Sequence, residues 1–304
     1  MSMSLKLRTL LHPTDFSPCA GRALDQAALF AGQLEAEIHL LHAVTLRSEG
    51  NADPRWLFGD PEPIFQRLES RAESELARLA ESLRVRGVAA RATARRAVIP
   101  AALIREFAAE IGADLVVIGR EGQRPSEPGR LGAVADEVVR FAERPVMTVP
   151  DRFKGEALPR QILAPVDFSA GARAAAGYAH ELAAALGASL LLLHVFETSP
   201  LPDVYSGAVA SIWREEPEAL RDRTLAALER LVRELPGPEV PWQGHLARGK
   251  SGPAITAFAE EHDADLIVLA SHGLAGWRRL LLGTTAETVV RTAPCPVVTV
   301  RAPS

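Results

Sequence analysis

The feature that most constrains the fold of this chain is an internal repeat with a spacing of about 150 residues. Three blocks recur in the same order: residues 10–17 as 162–169, residues 113–119 as 264–270, and residues 132–149 as 283–300. The spacing changes by a single residue between the first and second blocks, as one loop insertion would produce. Solenoid repeats have periods of roughly 20–50 residues, so this longer period predicts a duplicated domain.

The repeat also predicts the domain boundaries. We expect a first domain over residues 1–150 and a second domain over residues 161–304. Residues 151–160 are charged and contain Gly155 and Pro159, a composition typical of a linker.

Composition and charge narrow the class of protein. Of 304 residues, 47% are hydrophobic and 24% are charged, which is enough apolar mass for two cores. The net charge of −4 provides no overall positive field for nucleic acid, so no nucleic-acid partner is expected. The only cysteines are Cys19 and Cys295, one in each half, which favours free thiols and a reducing compartment. No apolar run approaches the ~20 residues that span a bilayer, and no signal-peptide pattern opens the chain. We therefore predict a cytoplasmic protein without a membrane partner.

Each half alternates strands with helices. Strands are predicted at Leu7–His12, Ile38–Val44, 88–96, Asp114–Gly119 and Val146–Val149, and at Gln161–Ala164, Ser189–Phe196, 240–247, Asp265–Ala270 and Val297–Val300. Helices are predicted after Ser17 and Ser169 and at 63–86, 101–111, 132–142, 216–235, 253–262 and 283–292. The nearly continuous apolar strands are typical of a parallel sheet that is covered on both faces. Such α/β sheets bind ligands at the carboxyl ends of strands, where the strand order reverses.

Both halves carry a glycine-containing loop that runs from the fourth strand into a helix. The loops read Gly119-Arg120-Glu121-Gly122, nine residues, then Gly132-Ala133, and Ala270-Ser271-His272-Gly273, nine residues, then Gly283-Thr284. Glycine lets a backbone approach an anion closely, and the N–H groups and dipole of a helix N-terminus attract phosphate. The pattern suits a phosphate cradle, although from the residues alone glycines after a parallel strand are more often simple turns.

A second motif, Pro-x-Asp-Phe-Ser, follows the first strand of each half. Ser17 and Ser169 are good helix N-caps, which we favour over a role as nucleophiles. Asp15 and Asp167 either contact a ligand or only close the turn with those serines, and the residues alone leave both readings open.

Together these motifs resemble the ATP-binding branch of the universal stress protein family. The resemblance rests on Pro-x-Asp-Phe-Ser, on Gly-x-x-Gly-(nine)-Gly-Ser/Thr and on the Ala-Pro-Cys-Pro-Val ending at 293–297, and it covers nearly all of both halves. It implies an α/β fold of two tandem doubly wound five-stranded parallel sheets, each with strand order 3-2-1-4-5 and helices on both faces. It also implies that ATP or ADP binds, with Mg²⁺, and that domains pair through their last strands within one chain and in a homodimer.

The resemblance further implies a nucleotide-binding residue set. Asp167 would contact adenine or ribose, the backbone at Val195 would meet adenine, and the glycine loop would hold phosphates. The complete set is Pro165, Val166, Asp167, Val195, Ala270, His272, Gly273, Gly283, Thr284 and Thr285, with Asp15, Ala43, Gly119, Gly122 and Gly132 in the first half.

Neither half matches the family pattern fully. In the second half Ala270 replaces the first glycine, at a cost that is small unless the backbone φ is positive there. In the first half Ala133 lacks the hydroxyl of Thr284, and losing a hydrogen bond to a charged group costs roughly 1.5–3 kcal/mol. The first loop also contains Pro125 and Pro128, which have no N–H to donate. Its charged residues include the acids Glu121 and Glu127, whereas the second loop contains Arg278 and Arg279. We therefore predict a competent second site and a weakened first site.

Other motifs carry weaker signals. Residues 244–251 resemble a Walker string, but a P-loop must lie between a strand and a helix, and most of this string falls in a predicted strand. His39 and His42 are three apart on a strand and point to opposite faces, so they are poor joint metal ligands. Trp277 could cover the site or simply pack.

These observations favour a nucleotide-responsive regulatory module over an enzyme, because no nucleophile, carboxylate pair or metal cluster demands catalysis. Slow ATP hydrolysis is at most an added property. The alternative is a scaffold that binds no nucleotide, and a third reading is a true phosphoryl-transfer enzyme. The variable segments 45–62 and 197–217 are given no role.

Overall fold

The chain folds as two compact units, Lys6–Leu158 and Pro159–Ser304. The computed structural model describes residues 6–46, 60–123, 131–153, 155, 157–197, 217–271 and 282–301. No helix in these ranges is both long and apolar enough to cross a membrane.

The first unit is a parallel sheet of five strands with the order β3-β2-β1-β4-β5. Its strands are β1 (Thr9–Pro13), β2 (Glu37–Val44), β3 (Ala90–Arg96), β4 (Leu115–Gly119) and β5 (Val146–Val149). Its helices are α1 (Pro18–Leu34), α2 (Glu62–Val85), α3 (Pro100–Glu110) and α4 (Ala133–Phe141).

The second unit repeats this topology, with the order β8-β7-β6-β9-β10. Its strands are β6 (Gln161–Pro165), β7 (Ser189–Phe196), β8 (Trp242–Arg248), β9 (Leu266–Ala270) and β10 (Val297–Val300). Its helices are α5 (Ala170–Leu186), α6 (Pro217–Glu234), α7 (Ser251–Glu261) and α8 (Thr284–Thr292). The predicted order 3-2-1-4-5 is confirmed in both halves. The first strand was predicted two residues early, because Leu7 is buried but lies ahead of the ladder.

The helices divide between the two faces of each sheet. In the first unit α1 packs on β1 and β4 while α2 packs on β2 and β3, and α3 and α4 pack against each other. Right-handed crossovers in a sheet of this order place α1 and α2 on one face and α3 and α4 on the other. The central strands are accordingly buried along most of their length, and Leu10, Leu11 and Leu163 have no exposed surface.

The edge strand β3 carries charge rather than a continuous apolar surface. Arg91 pairs with Glu37 at 2.8 Å, and Arg95 pairs with Glu110 at 2.6 Å while lying over the ring of Phe107. Charged side chains on an edge strand oppose pairing with another chain.

The segment after β5 packs against the first helix of its own unit. Arg22 on α1 forms an ion pair with Asp151, and Gln26 Nε2 donates to the carbonyl of Gly155 at 2.6 Å. The start of the predicted linker is therefore fastened to the first unit, and Arg160 N–H bonds to Asp265 in the second.

The first sheet opens at the point where its strand order reverses. The ladder between β1 and β4 covers only Leu10↔Leu115 and Leu11↔Val116, while β1 stays paired with β2 as far as Pro13. The carbonyl of Val117 instead accepts a hydrogen bond from His12 Nδ1 at 2.9 Å. His12 is fully buried, and the second half has Ala164 at its place.

Burial at this position makes the first unit sensitive to acid. Burial lowers the pKa of His12 from 6.5 to about 4, and outweighs the opposing effects of the Val117 carbonyl and of Asp15 and Asp25. The unfolded chain therefore takes up a proton between pH 6.5 and 4 that the folded chain does not. Stability is full above this window and is lost as the pH falls through it.

We expect the free energy of unfolding of the first unit to be of order 2 kcal/mol lower at pH 5 than at pH 7.5 because of this one group. A His12→Asn variant keeps a donor for Val117 but cannot titrate, so its urea unfolding should lose most of that pH dependence. An unchanged pH dependence in the variant would show that other groups are responsible.

Candidate functional site

In the first unit the loops after β1 and β4 meet at the carboxyl edge of the sheet. Gly132 N–H donates to the carbonyl of Arg120 at 2.9 Å, which closes the base of the glycine loop. A methyl group added to Gly132 would lie 3.5 Å from Gly122 N, and one added to Gly122 would lie 3.0 Å from Asp15 Oδ2. Asp15, Gly122 and Gly132, predicted from distant segments, are therefore neighbours.

The second unit closes its loop in the same way. Gly283 N–H donates to the carbonyl of Ser271 at 2.9 Å, and Gly283 is the N-cap of α8. Among the described residues no side chain caps the first turn of α8, and Thr284 is exposed there beside the half-buried Thr285. A helix N-terminus at the edge of a parallel sheet favours an anion. The predicted residues His272 and Gly273, together with Trp277, Arg278 and Arg279, lie outside the described residues.

The turn after the first strand has the same construction in both units. Asp167 Oδ1 accepts the N–H of Ser169 at 2.9 Å, and Ser169 Oγ accepts the N–H of Ala172 at 3.1 Å. The corresponding distances at Asp15 and Ser17 are 3.0 and 3.1 Å. The serines are therefore N-caps, as predicted, and the aspartates orient the turn that precedes the helix.

Val195 lies at this same carboxyl edge. The ladder pairs Pro165 with Leu193, so β7 continues past the end of β6 through His194 and Val195 to Phe196. Ala43 occupies the equivalent position on β2, and both are half-buried.

The loop glycine of the first unit is required by a close approach rather than by its dihedral angle. A methyl group on Gly119 would lie 3.0 Å from the backbone carbon of Cys19 and 3.1 Å from Ala20 N. Neither Gly119 nor Ala270 has a positive φ, so Ala270 carries no left-handed strain. In the second unit Gly171 stands two residues after the cap, where the first unit has Cys19. The second unit therefore has an additional methyl group on β9, at Ala270, and lacks a side chain on the facing helix, at Gly171.

In the first unit a residue of the glycine loop forms hydrogen bonds with Asp15. Asp15 Oδ2 accepts the backbone N–H of Gln123 at 2.9 Å, and Gln123 Nε2 donates to the carbonyl of Asp15. Glu121 Oε1 lies 3.6 Å from Nη2 of Arg120, and the Arg120 side chain is largely buried. Sequence reasoning did not single out Gln123, whose role depends on a loop folding back across the site. Pro125, Glu127 and Pro128 lie outside the described residues.

Both halves of the chain match one family of known proteins. A model of the universal stress protein family matches residues 6–150 and again residues 159–301. The chain belongs to the universal stress protein family. A universal stress protein of Methanocaldococcus jannaschii is 31% identical over 149 residues, which is 49% of this chain and 86% of that protein. One of Thermus aquaticus is 37% identical over 146 residues, 47% of this chain and 98% of that protein.

Solved structures show the tandem fold over its whole length. The crystal structure of a universal stress protein from Archaeoglobus fulgidus has a TM-score of 0.68 and 20% sequence identity, covering 98% of this chain and 97% of that one. At this identity the likeness shows the fold alone.

Within this universal stress protein the Walker-like string is not a P-loop. Strand β8 occupies Trp242–Arg248, which leaves only Gly249 and Lys250 before α7. The N-terminus of α7 is also occupied by Glu197, whose carboxylate accepts from Ser251 N at 3.1 Å and from Ser251 Oγ at 2.5 Å. These hydrogen bonds lower the pKa of Glu197.

The two thiols and the two histidines of β2 have separate surroundings. Burial raises the pKa of Cys295 to about 12 and also raises that of Cys19, so neither is a thiolate at neutral pH. His39 and His42 make separate contacts, to Glu37 and to the carbonyl of Thr14. Among the described residues no three or more histidine, cysteine or acidic side chains form a metal-binding group.

We expect Gly119→Ala to destabilise the first unit by roughly 1–3 kcal/mol, because the new methyl overlaps backbone atoms of α1. Adding Cys19→Gly should recover part of the loss by letting the first turn of α1 shift, as the pair Ala270 and Gly171 indicates. Urea unfolding of the single and double variants measures both effects. Additive destabilisation in the double variant would contradict this compensation.

Proposed function

We propose that the second domain binds ATP or ADP, and that its occupancy regulates the protein rather than driving a chemical reaction. The observation that carries this proposal is the N-terminus of α8 at Gly283 and Thr284, which no described side chain caps and which lies on the same sheet edge as Asp167. Phosphate oxygens would accept hydrogen bonds from the first-turn N–H groups and from the Thr284 hydroxyl. The helix dipole adds to this attraction.

The sugar and base would lie toward the first strand of the domain. Asp167 supplies a carboxylate that can accept hydrogen bonds from ribose hydroxyls or from an amino group. The half-buried backbone at Val195 offers the adenine a hydrogen-bonding edge beside the aspartate. A nucleotide has this combination of an anionic end and a polar, flat end.

Mg²⁺ would accompany the phosphates rather than occupy a protein cage. Mg²⁺ in nucleotide sites keeps several waters and binds the phosphates directly, and the described residues contain no group of three acids that could enclose it. The residues therefore fit a metal carried in with the nucleotide.

The first domain is proposed to be the weaker site. Pro125 and Pro128 remove N–H donors from its loop, and Glu121 and Glu127 add negative charge to it. Ala133 also lacks the hydroxyl that Thr284 supplies. Pairing of the domains through their last strands, and a homodimer, stay predictions that sedimentation of the intact chain would test.

Isothermal titration of Mg-ATP into the intact protein should show about one equivalent bound. Gly283→Asp places a negative charge in the cradle, where like-charge contact costs several kcal/mol, so affinity should fall about a hundredfold or more. Gly132→Asp is the matched control in the first domain and should leave this binding in place. Two equivalents would contradict the asymmetry, and no binding to the intact protein would favour the scaffold.

Thr284→Ala tests the hydroxyl by itself. Losing one hydrogen bond to a charged phosphate should weaken ATP binding about tenfold to a hundredfold without changing the stoichiometry. The affinity of the variant for adenosine, measured in the same way, should stay close to that of the intact protein. Equal losses for ATP and adenosine would place Thr284 away from the phosphates.

A further inference from the structure

One histidine in each domain holds the residues on both sides of the site aspartate. In the second domain His194 Nδ1 donates to the carbonyl of Val166 at 2.7 Å, and its ring packs on Phe168 with centroids 5.1 Å apart. Val166 and Phe168 are the residues immediately before and after Asp167. Phe196 meets the same imidazole edge-on at 4.7 Å, so the ring plane is fixed from two directions.

The first domain repeats this arrangement with different neighbours. His42 Nδ1 donates to the carbonyl of Thr14 at 2.8 Å, and its ring stacks on Phe16 at 4.5 Å. Threonine and valine have little in common as side chains. What the histidine holds in both domains is therefore the backbone carbonyl that precedes the aspartate.

The turn that these contacts hold is a disfavoured one. Phe168 and Phe16 have φ values of 61° and 63°, in the left-handed region where a Cβ crowds the backbone. Glycine would adopt this conformation freely, yet both domains use phenylalanine. A phenyl ring adds a surface that packs on the imidazole, which glycine could not supply.

The contacts of His194 with Val166 and Phe168 determine the direction of the Asp167 carboxylate. Asp167 Oδ1 accepts the N–H of Ser169 at 2.9 Å. This bond requires a tight reversal of the backbone between the two residues. That reversal depends on the left-handed Phe168 and on the carbonyl direction of Val166. Both of these are held by His194, which comes from a different strand.

We propose that His194 is a positioning residue for Asp167, acting through the backbone of the turn without touching the nucleotide. The proposal rests on the function proposed for the second domain. It assigns the histidine at the end of β7 to ligand affinity, whereas a purely structural histidine would contribute only to stability.

Two substitutions separate the hydrogen bond from the ring. His194→Phe keeps an aromatic face and removes the donor, and should weaken Mg-ATP binding roughly 3- to 10-fold, the equivalent of one ordinary hydrogen bond. His194→Asn keeps an N–H donor close to the position of Nδ1, and should bind ATP more tightly than His194→Phe. Equal affinities for the two variants and the intact protein would overturn the proposal.

Coupling to Asp167 distinguishes positioning from general damage. If His194 acts through Asp167, His194→Phe should weaken binding little further in an Asp167→Asn background. Additive losses would overturn the proposal. His42→Phe is the matched control: it removes the same bond in the first domain, and should leave the affinity of the second domain unchanged.

Amide hydrogen exchange at Ser169 gives a readout that needs no nucleotide. This N–H donates to Asp167, so its exchange should accelerate in His194→Phe and stay slow in His194→Asn. Unchanged exchange in His194→Phe overturns the proposal whether or not ATP binds. If the intact protein binds no ATP, the function proposed above fails and the ligand role of His194 fails with it. Faster exchange would then show that the histidine holds the turn alone.

Discussion

Both domains depend on how the first strand of the sheet turns into the first helix. At this point the strand order reverses, so in each domain the first strand is paired on one side only beyond its middle. Sheets of this kind bind ligands at the carboxyl end of the strands where the order reverses. The turn must therefore be held from within. An aspartate, a left-handed phenylalanine and a capping serine hold it in sequence, and a histidine from the neighbouring strand closes it.

The rest of the candidate site is positioned relative to that turn. The glycine loop after the fourth strand must pass the backbone at the start of the first helix, at Cys19 in the first domain, and a backbone hydrogen bond closes its base. The helix that follows begins at the last glycine of that loop, so its first N–H groups lie at the same edge of the sheet. Sheet geometry thus brings a carboxylate and a helix N-terminus to the same edge of each sheet.

Duplication preserved this framework, and the two edges then diverged in side chains. The side chain of Gln123 donates from Nε2 to the carbonyl of Asp15 in the first domain, and the second half of the sequence has Leu274 at this place. In the second domain Glu197 binds the N-terminus of α7, a contact that the first domain cannot form because Pro100 begins the equivalent helix without an N–H. The buried His12 is matched by Ala164. One fold therefore supports two edges with different hydrogen-bonding capacity.

The strand order was predicted from the family resemblance alone. The duplication, the α/β class and the caps at Ser17 and Ser169 can be predicted from the sequence itself. These are local or periodic features: apolar runs, turn residues and repeated motifs are legible without knowledge of distant contacts. The tertiary structure alone decided that Gln123 covers Asp15, that His194 holds the turn around Asp167, and that Gly119 is required by packing rather than by dihedral angle. Each of these depends on the distance between atoms far apart in the chain, which a residue pattern does not encode.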